Sequence, residues 1–123
     1  MGDIVSKVEI IAVVDAFYLK VRADETIGFI FNDIAKVDWE HHMPIIYNFW
    51  ESTVFGTGTY TGNAMTPHFV LQDKVKFTDA HFERWIFHFN TTVDELFEGE
   101  NATLMKMRAA GIAGLMKSKL IGH

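Results

Sequence analysis

Apolar positions recur along the chain at steps of three and four, with no sustained alternation, so the pattern predicts helices throughout. Ile4, Val8, Ile11, Val14, Tyr18 and Val21 form one stripe that runs out near residues 22–24. Tyr18 lies on that stripe and is expected to face the core. Residues 26–32 read as a compact apolar turn with Phe29, Ile30 and Phe31 in sequence. Asp38 then suits the cap of a helix with Trp39, His42, Ile46, Phe49 and Thr53 on one face. Pro44 falls in the second turn of that helix and removes a backbone hydrogen bond, which predicts a kink or a later start. On this reading His42 points inward and His41 is rotated away by about 100°.

Residues 56–62 form a glycine-studded turn, after which Thr66 can cap and Pro67 fits the first position of a very short helix bearing His68. Thr78 suits the cap of a longer helix with inner face Phe82, Trp85, Ile86, Phe89, Val93 and Leu96, ending at Gly99. His81, Arg84 and His88 take its polar side. The last helix starts near Asn101, presents Leu104, Met105, Ala109, Ile112, Met116 and Leu120, and stops before Gly122. The expected architecture is all-α, as one domain over residues 1–123. Four substantial helices, one very short one and two corners are more than a plain up-down bundle needs, and the irregular middle suggests a cavity.

Composition narrows the chemistry. Without cysteine, protein ligands to a metal are confined to His, Asp, Glu or Tyr, and a reducing cytoplasm is the default compartment. The net charge of −5 comes without any Lys/Arg cluster, which argues against a nucleic-acid partner. The longest apolar run, residues 10–14, falls far short of a membrane span, and no basic leader with a cleavage site precedes it. A match to the myristoylation pattern at Gly2 is short enough to arise by chance, and two Asn-x-Thr triplets, at Asn90 and Asn101, lie in or beside helical segments of a chain not expected to be secreted.

HExxH, paired histidines at i, i+4 and Glu-x-x-His are all absent, so neither a zinc protease nor a di-iron bundle is spelled out. A single well-placed histidine, His68, points instead to a prebuilt metal complex. Haem brings four nitrogens of its own, so one axial imidazole and a large aromatic slot suffice, and eleven Phe and three Trp can line such a slot.

The ordered motifs Phe17-Tyr18-Leu19-Lys20-Val21-Arg22, Gly28-Phe29-Ile30-Phe31-Asn32, Asp38-Trp39 followed by His42, and Phe49-Trp50 extend over the first half of the chain. Thr57-Gly58-Thr59-Tyr60-Thr61-Gly62, Met65 with His68, and His81-Phe82-Glu83-Arg84-Trp85 continue the series. Over nearly its whole length the chain resembles the group III truncated haemoglobins, small bacterial globins with a shortened, two-on-two helical sandwich around a haem. The resemblance implies that His68 is the proximal iron ligand and that Tyr18, His42 and Trp85 form the distal wall. Phe31 and Phe49 would pack against the porphyrin, with Ile46, Phe82, Trp85 and Ile86 also lining the slot. His81 or a base such as Lys74, Lys76 or Arg84 would be the group to meet a propionate.

The implied function is binding of O2, NO, CO or similar ligands at haem b, with oxygen transport or redox chemistry on NO or peroxide as the activities to expect. Tyr18 O–H and Trp85 N–H are natural donors to a polar ligand. His42 has two roles open, donor or outward-swinging gate. Turnover would draw electrons from a reductase or a small molecule, since no flavin or nicotinamide motif is present. Taken singly, Tyr18 reads as a core tyrosine, Trp85 as packing and His42 as a half-exposed histidine; only their coincidence with His68 reverses that. The alternative is a non-haem globin-like sensor or interaction module built on the same helices.

Overall fold

The computed structural model describes residues 2–34, 39–58 and 77–121. Among the described residues the long helices are α1 (Lys7–Ala23), α2 (Trp39–Phe55), α3 (Asp79–Leu96) and α4 (Glu100–Ile121), with a π-helical turn at Ile30–Ile34. α1 packs on α2 and α3, while α4 packs on α2 and α3, so two helix pairs face each other around one core. The all-α two-on-two expectation holds.

Ile10, Val13, Val14, Phe17 and Val21 are the buried positions of α1. The stripe is therefore rotated from the one read in the sequence: Val8 is 71% exposed, Ile11 is half-buried, and Phe17 rather than Tyr18 occupies the centre. In a helix with apolar residues on several faces, periodicity leaves two neighbouring stripes nearly equal, and packing partners decide between them. α2 begins at Trp39 and includes Pro44, so the later start did not materialise. The most buried side chain of α2 is Trp50, stacked on Phe89 at 4.9 Å, a core position the predicted face omitted. On α3, Phe89, Thr92 and Val93 are buried but Leu96 is 38% exposed. On α4, Ala102, Met105, Ala109, Ala113 and Met116 face inward, whereas Leu104 lies at the margin.

Two corners hold these helices in register. The amide N–H groups of Asn101 and Ala102, orphaned at the start of α4, donate to the Asp3 carboxylate at 3.0 and 2.9 Å, and Asn101 Nδ2 donates to the Ile4 carbonyl at 2.7 Å. A cap thus comes from the opposite end of the chain. The Asn101 hydrogen bond, joined by those of Ala102 and Ile4, holds the Asp3 carboxyl below its usual range against partial burial. Gly99 makes room for it: φ is +142° and a Cβ would lie 2.4 Å from Asp3 Cγ. At the other corner, a Cβ on Gly28 would come 2.7 Å from the Arg22 carbonyl, so only glycine lets the segment carrying Phe31 tuck beneath the end of α1.

Candidate functional site

Tyr18 is half-buried on the flank of α1, next to Phe17 in sequence but turned towards α2. Its ring meets Trp39 at 5.3 Å, Phe31 at 6.1 Å and His42 at 6.2 Å, the last edge-on at 82°. Trp39 in turn lies edge-on to His42 at 5.8 Å and tilted to Phe31 at 6.2 Å. Trp39 and His42 are three apart on α2 and so project from one side of it. Like any tyrosine, Tyr18 carries its proton and can donate a hydrogen bond at neutral pH, and burial pushes its hydroxyl well above the usual tyrosine range.

Trp85 reaches the same region through Phe17, at 5.4 Å with planes at 89°, and stacks on Phe89 at 5.7 Å. The structure therefore brings Tyr18 into ring contact with both His42 and Phe31 and connects Trp85 to Tyr18 by one shared neighbour, Phe17. Ile46, Phe49 and Ile86 pack, half-buried, on the same core. Phe82 belongs elsewhere: with Ile30, Phe77 and Met116 it forms a smaller cluster, joined to the first through Phe31 and Ile112. His68, the expected iron ligand, lies outside the described residues, as do Asp38, Thr66, Pro67, Lys74 and Lys76.

The polar side of α3 is engaged in other work. Asp24, just beyond α1 and with its side chain only 4% exposed, accepts from Arg84 Nε at 2.8 Å and from the Thr26 N–H at 2.7 Å, and lies 2.5 Å from His88 Nε2. Burial raises the Asp24 carboxyl, but the hydrogen bonds from His88, Thr26 and Arg84 outweigh it and hold the group well below the usual carboxylate range. Arg84 is thus committed to a clasp between the end of α1 and α3. His81 Nδ1 accepts the Thr78 N–H at 3.1 Å, standing where a capping box usually has Glu or Gln. That requires a neutral ring, and burial lowers its pKa accordingly.

The sequence pattern of the bacterial-like globins matches residues 3–116. The chain belongs to that family. It is 28% identical over 121 residues to the group 3 truncated haemoglobin of Campylobacter jejuni, a match that covers 96% of this chain and 93% of that protein. The crystal structure of the group III truncated haemoglobin from Campylobacter jejuni superposes with a TM-score of 0.82 at 30% identity, covering 98% of this chain and 95% of that one. The group III truncated haemoglobin assignment and the truncated globin fold rest on these matches.

The globin family implies a haem cofactor. The half-buried side chains have the chemistry such a group requires. Phe31, Ile46, Phe49, Trp85 and Ile86, all packed on the main core, offer large apolar surface, and Tyr18, His42 and Trp85 carry the hydroxyl, imidazole and indole N–H that can donate to a polar ligand. Trp39, on the inner face of α2 by its spacing, gains its place beside Tyr18 and His42 only from the structure, and the sequence signal for it is its position three residues before His42.

Proposed function

We propose that the chain is a haem-binding truncated haemoglobin that takes O2 and other small diatomic ligands at an iron ligated by His68. The observation that carries this reading is the cluster of Tyr18, Trp39, His42 and Phe31, a protonated hydroxyl and an imidazole edge-on to one another in an apolar aromatic setting, in a chain of globin family. Haem, when bound, supplies the iron centre that coordinates the diatomic ligand. His68 would hold it through a neutral imidazole nitrogen. With no cysteine there is no thioether anchor, so haem b is the form proposed.

Tyr18 is the principal donor towards a polar ligand, because its hydroxyl is carried on a ring that packs against Phe17, Trp39 and Phe31. His42 and Trp85 are the auxiliary donors. A hydrogen bond to a ligand that gains partial negative charge contributes about 1.5–3 kcal/mol, so slow ligand release is expected. The same donors favour redox chemistry on NO or peroxide when a reductase or small molecule supplies electrons.

The test is the absorption spectrum of the purified chain, ferric and reduced, before and after CO, beside His68→Ala. A Soret band that shifts with CO and is lost or weakened in His68→Ala supports the reading. Absence of haem uptake even after reconstitution would overturn it. In the loaded protein, Tyr18→Phe should release O2 roughly 10- to 100-fold faster, the rate equivalent of one such hydrogen bond.

A further inference from the structure

Arg22 lies one helical turn beyond Tyr18 on α1, so both side chains leave the helix on the same side. Its guanidinium carbon stands 4.7 Å from the centroid of Trp39, over the ring. The opposite demands on Trp39 come from within: its ring also meets Tyr18, His42 and Phe31. Trp39 is therefore half-buried between a solvent-exposed cation and the two polar-tipped rings of the candidate site. The backbone beneath Arg22 is held as well, since its carbonyl accepts Asn32 Nδ2 at 3.1 Å and is closely approached at Gly28.

We propose that Trp39, latched by the Arg22 guanidinium, is a positioning residue that fixes the orientation of Tyr18 and His42 and screens them from solvent. The proposal rests on the ligand-binding role given above to that pair. A hydrogen bond weakens steeply as its donor turns off line, so a loosened Trp39 lets the Tyr18 hydroxyl and His42 ring sample orientations that hold a ligand less well. The same loosening exposes the pair along the edge between α1 and α2. In this scheme Arg22 acts through the indole.

The experiment compares the parent chain with Arg22→Gln, Arg22→Lys, Trp39→Phe and Trp39→Leu, each checked for an unchanged helical spectrum. In the haem-loaded protein, flash photolysis should show CO association and O2 release about two- to fivefold faster in Arg22→Gln, the weight of one exposed cation–π contact. The change should be larger in Trp39→Leu, with Arg22→Lys and Trp39→Phe recovering most of the parent behaviour. A second readout needs no ligand. The chain has three indole N–H resonances, and Arg22→Gln should move that of Trp39 and the His42 ring protons while those of Trp50 and Trp85 stay in place.

Unchanged ligand rates together with unmoved His42 resonances in Arg22→Gln would overturn the proposal. If the chain takes no haem, the functional reading fails on its own, and the His42 resonances still decide whether Arg22 acts through Trp39. If Tyr18→Phe leaves O2 release unchanged while Arg22→Gln shifts His42, the positioning role stands and the donor role of Tyr18 falls.

Discussion

Phe17 and Tyr18 are consecutive on α1 and meet opposite surroundings. Phe17 is 2% exposed and is ringed by Tyr18, Trp85 and Phe89 at 4.9, 5.4 and 5.1 Å, with Val13, Val93 and Met105 completing a close-packed apolar layer. Tyr18 is half-buried and faces Phe31, Trp39 and His42, rings among which hydroxyl, indole and imidazole groups are interspersed. On the first side every contact adds apolar burial. On the second, polar atoms are kept in a setting where a hydrogen bond is stronger than in water. One helix thus presents a closely packed apolar face beside a half-buried one that carries polar-tipped rings, and the ligand-binding role proposed above draws mainly on the second.

That division can be broken most forcefully at Phe89, fully buried and in ring contact with Phe17, Trp50 and Trp85. Phe89→Ala should cost about 3–5 kcal/mol in chemical denaturation, whereas Tyr18→Phe should stay within about 1 kcal/mol. Equal losses from the two variants would erase the distinction.

Next in size is the clasp that fixes the end of α1 to α3 on the closed side. Asp24→Asn should destabilise by about 1–2 kcal/mol at neutral pH, a value reduced for the half-exposed Arg84 partner. Because the Asp24 carboxyl sits below its ordinary value of 3.8 when folded, its contribution is present above that value and lost as pH falls through the folded one. The stability gap between parent and Asp24→Asn should therefore narrow in acid, as read from urea midpoints at a series of pH values.

The smallest effect concerns His81, at the start of α3 and edge-on to Phe29 and Phe77 at 6.0 and 6.2 Å. Its folded pKa is lowered, so its contribution is complete above the ordinary value of 6.5 and declines as pH drops below it. His81→Gln keeps an acceptor for the Thr78 N–H and should flatten this slope between pH 7 and 5. A slope that persists in His81→Gln would assign it to another group. Tyr47, pushed up to about 12 first by burial and then by its hydrogen bond to Asp15, does not titrate in this window.

Much of the architecture was legible in the residues. Thr78 before the third helix and the break between the last two helices are local signals, set by a cap and by glycine, although the third helix ends at Leu96, three residues short of Gly99, and the fourth begins at Glu100, one before Asn101. Rotation about each helix axis was less legible. α1 carries apolar residues on more than one face, so the sequence permits either Phe17 or Tyr18 at the centre. Trp50, named in the Phe49-Trp50 motif but absent from the inner face read from periodicity, is a related case, since its burial depends on Phe89 arriving from α3.

For the site, the sequence by itself determined the family through ordered motifs spread over the chain, and with them which residue types are available: a tyrosine, two histidines and a tryptophan on separate segments. Tertiary structure alone decided which of these touch. It set Tyr18 and His42 against each other with Trp39 beside both, moved Phe82 into a separate cluster, and committed Arg84 to Asp24. It also capped α4 with Asp3 from the far end of the chain. The physical reason is that caps and periodicity depend on residues within a few positions of one another, whereas ring contacts and long-range hydrogen bonds depend on how whole helices rotate to exclude water from a shared core.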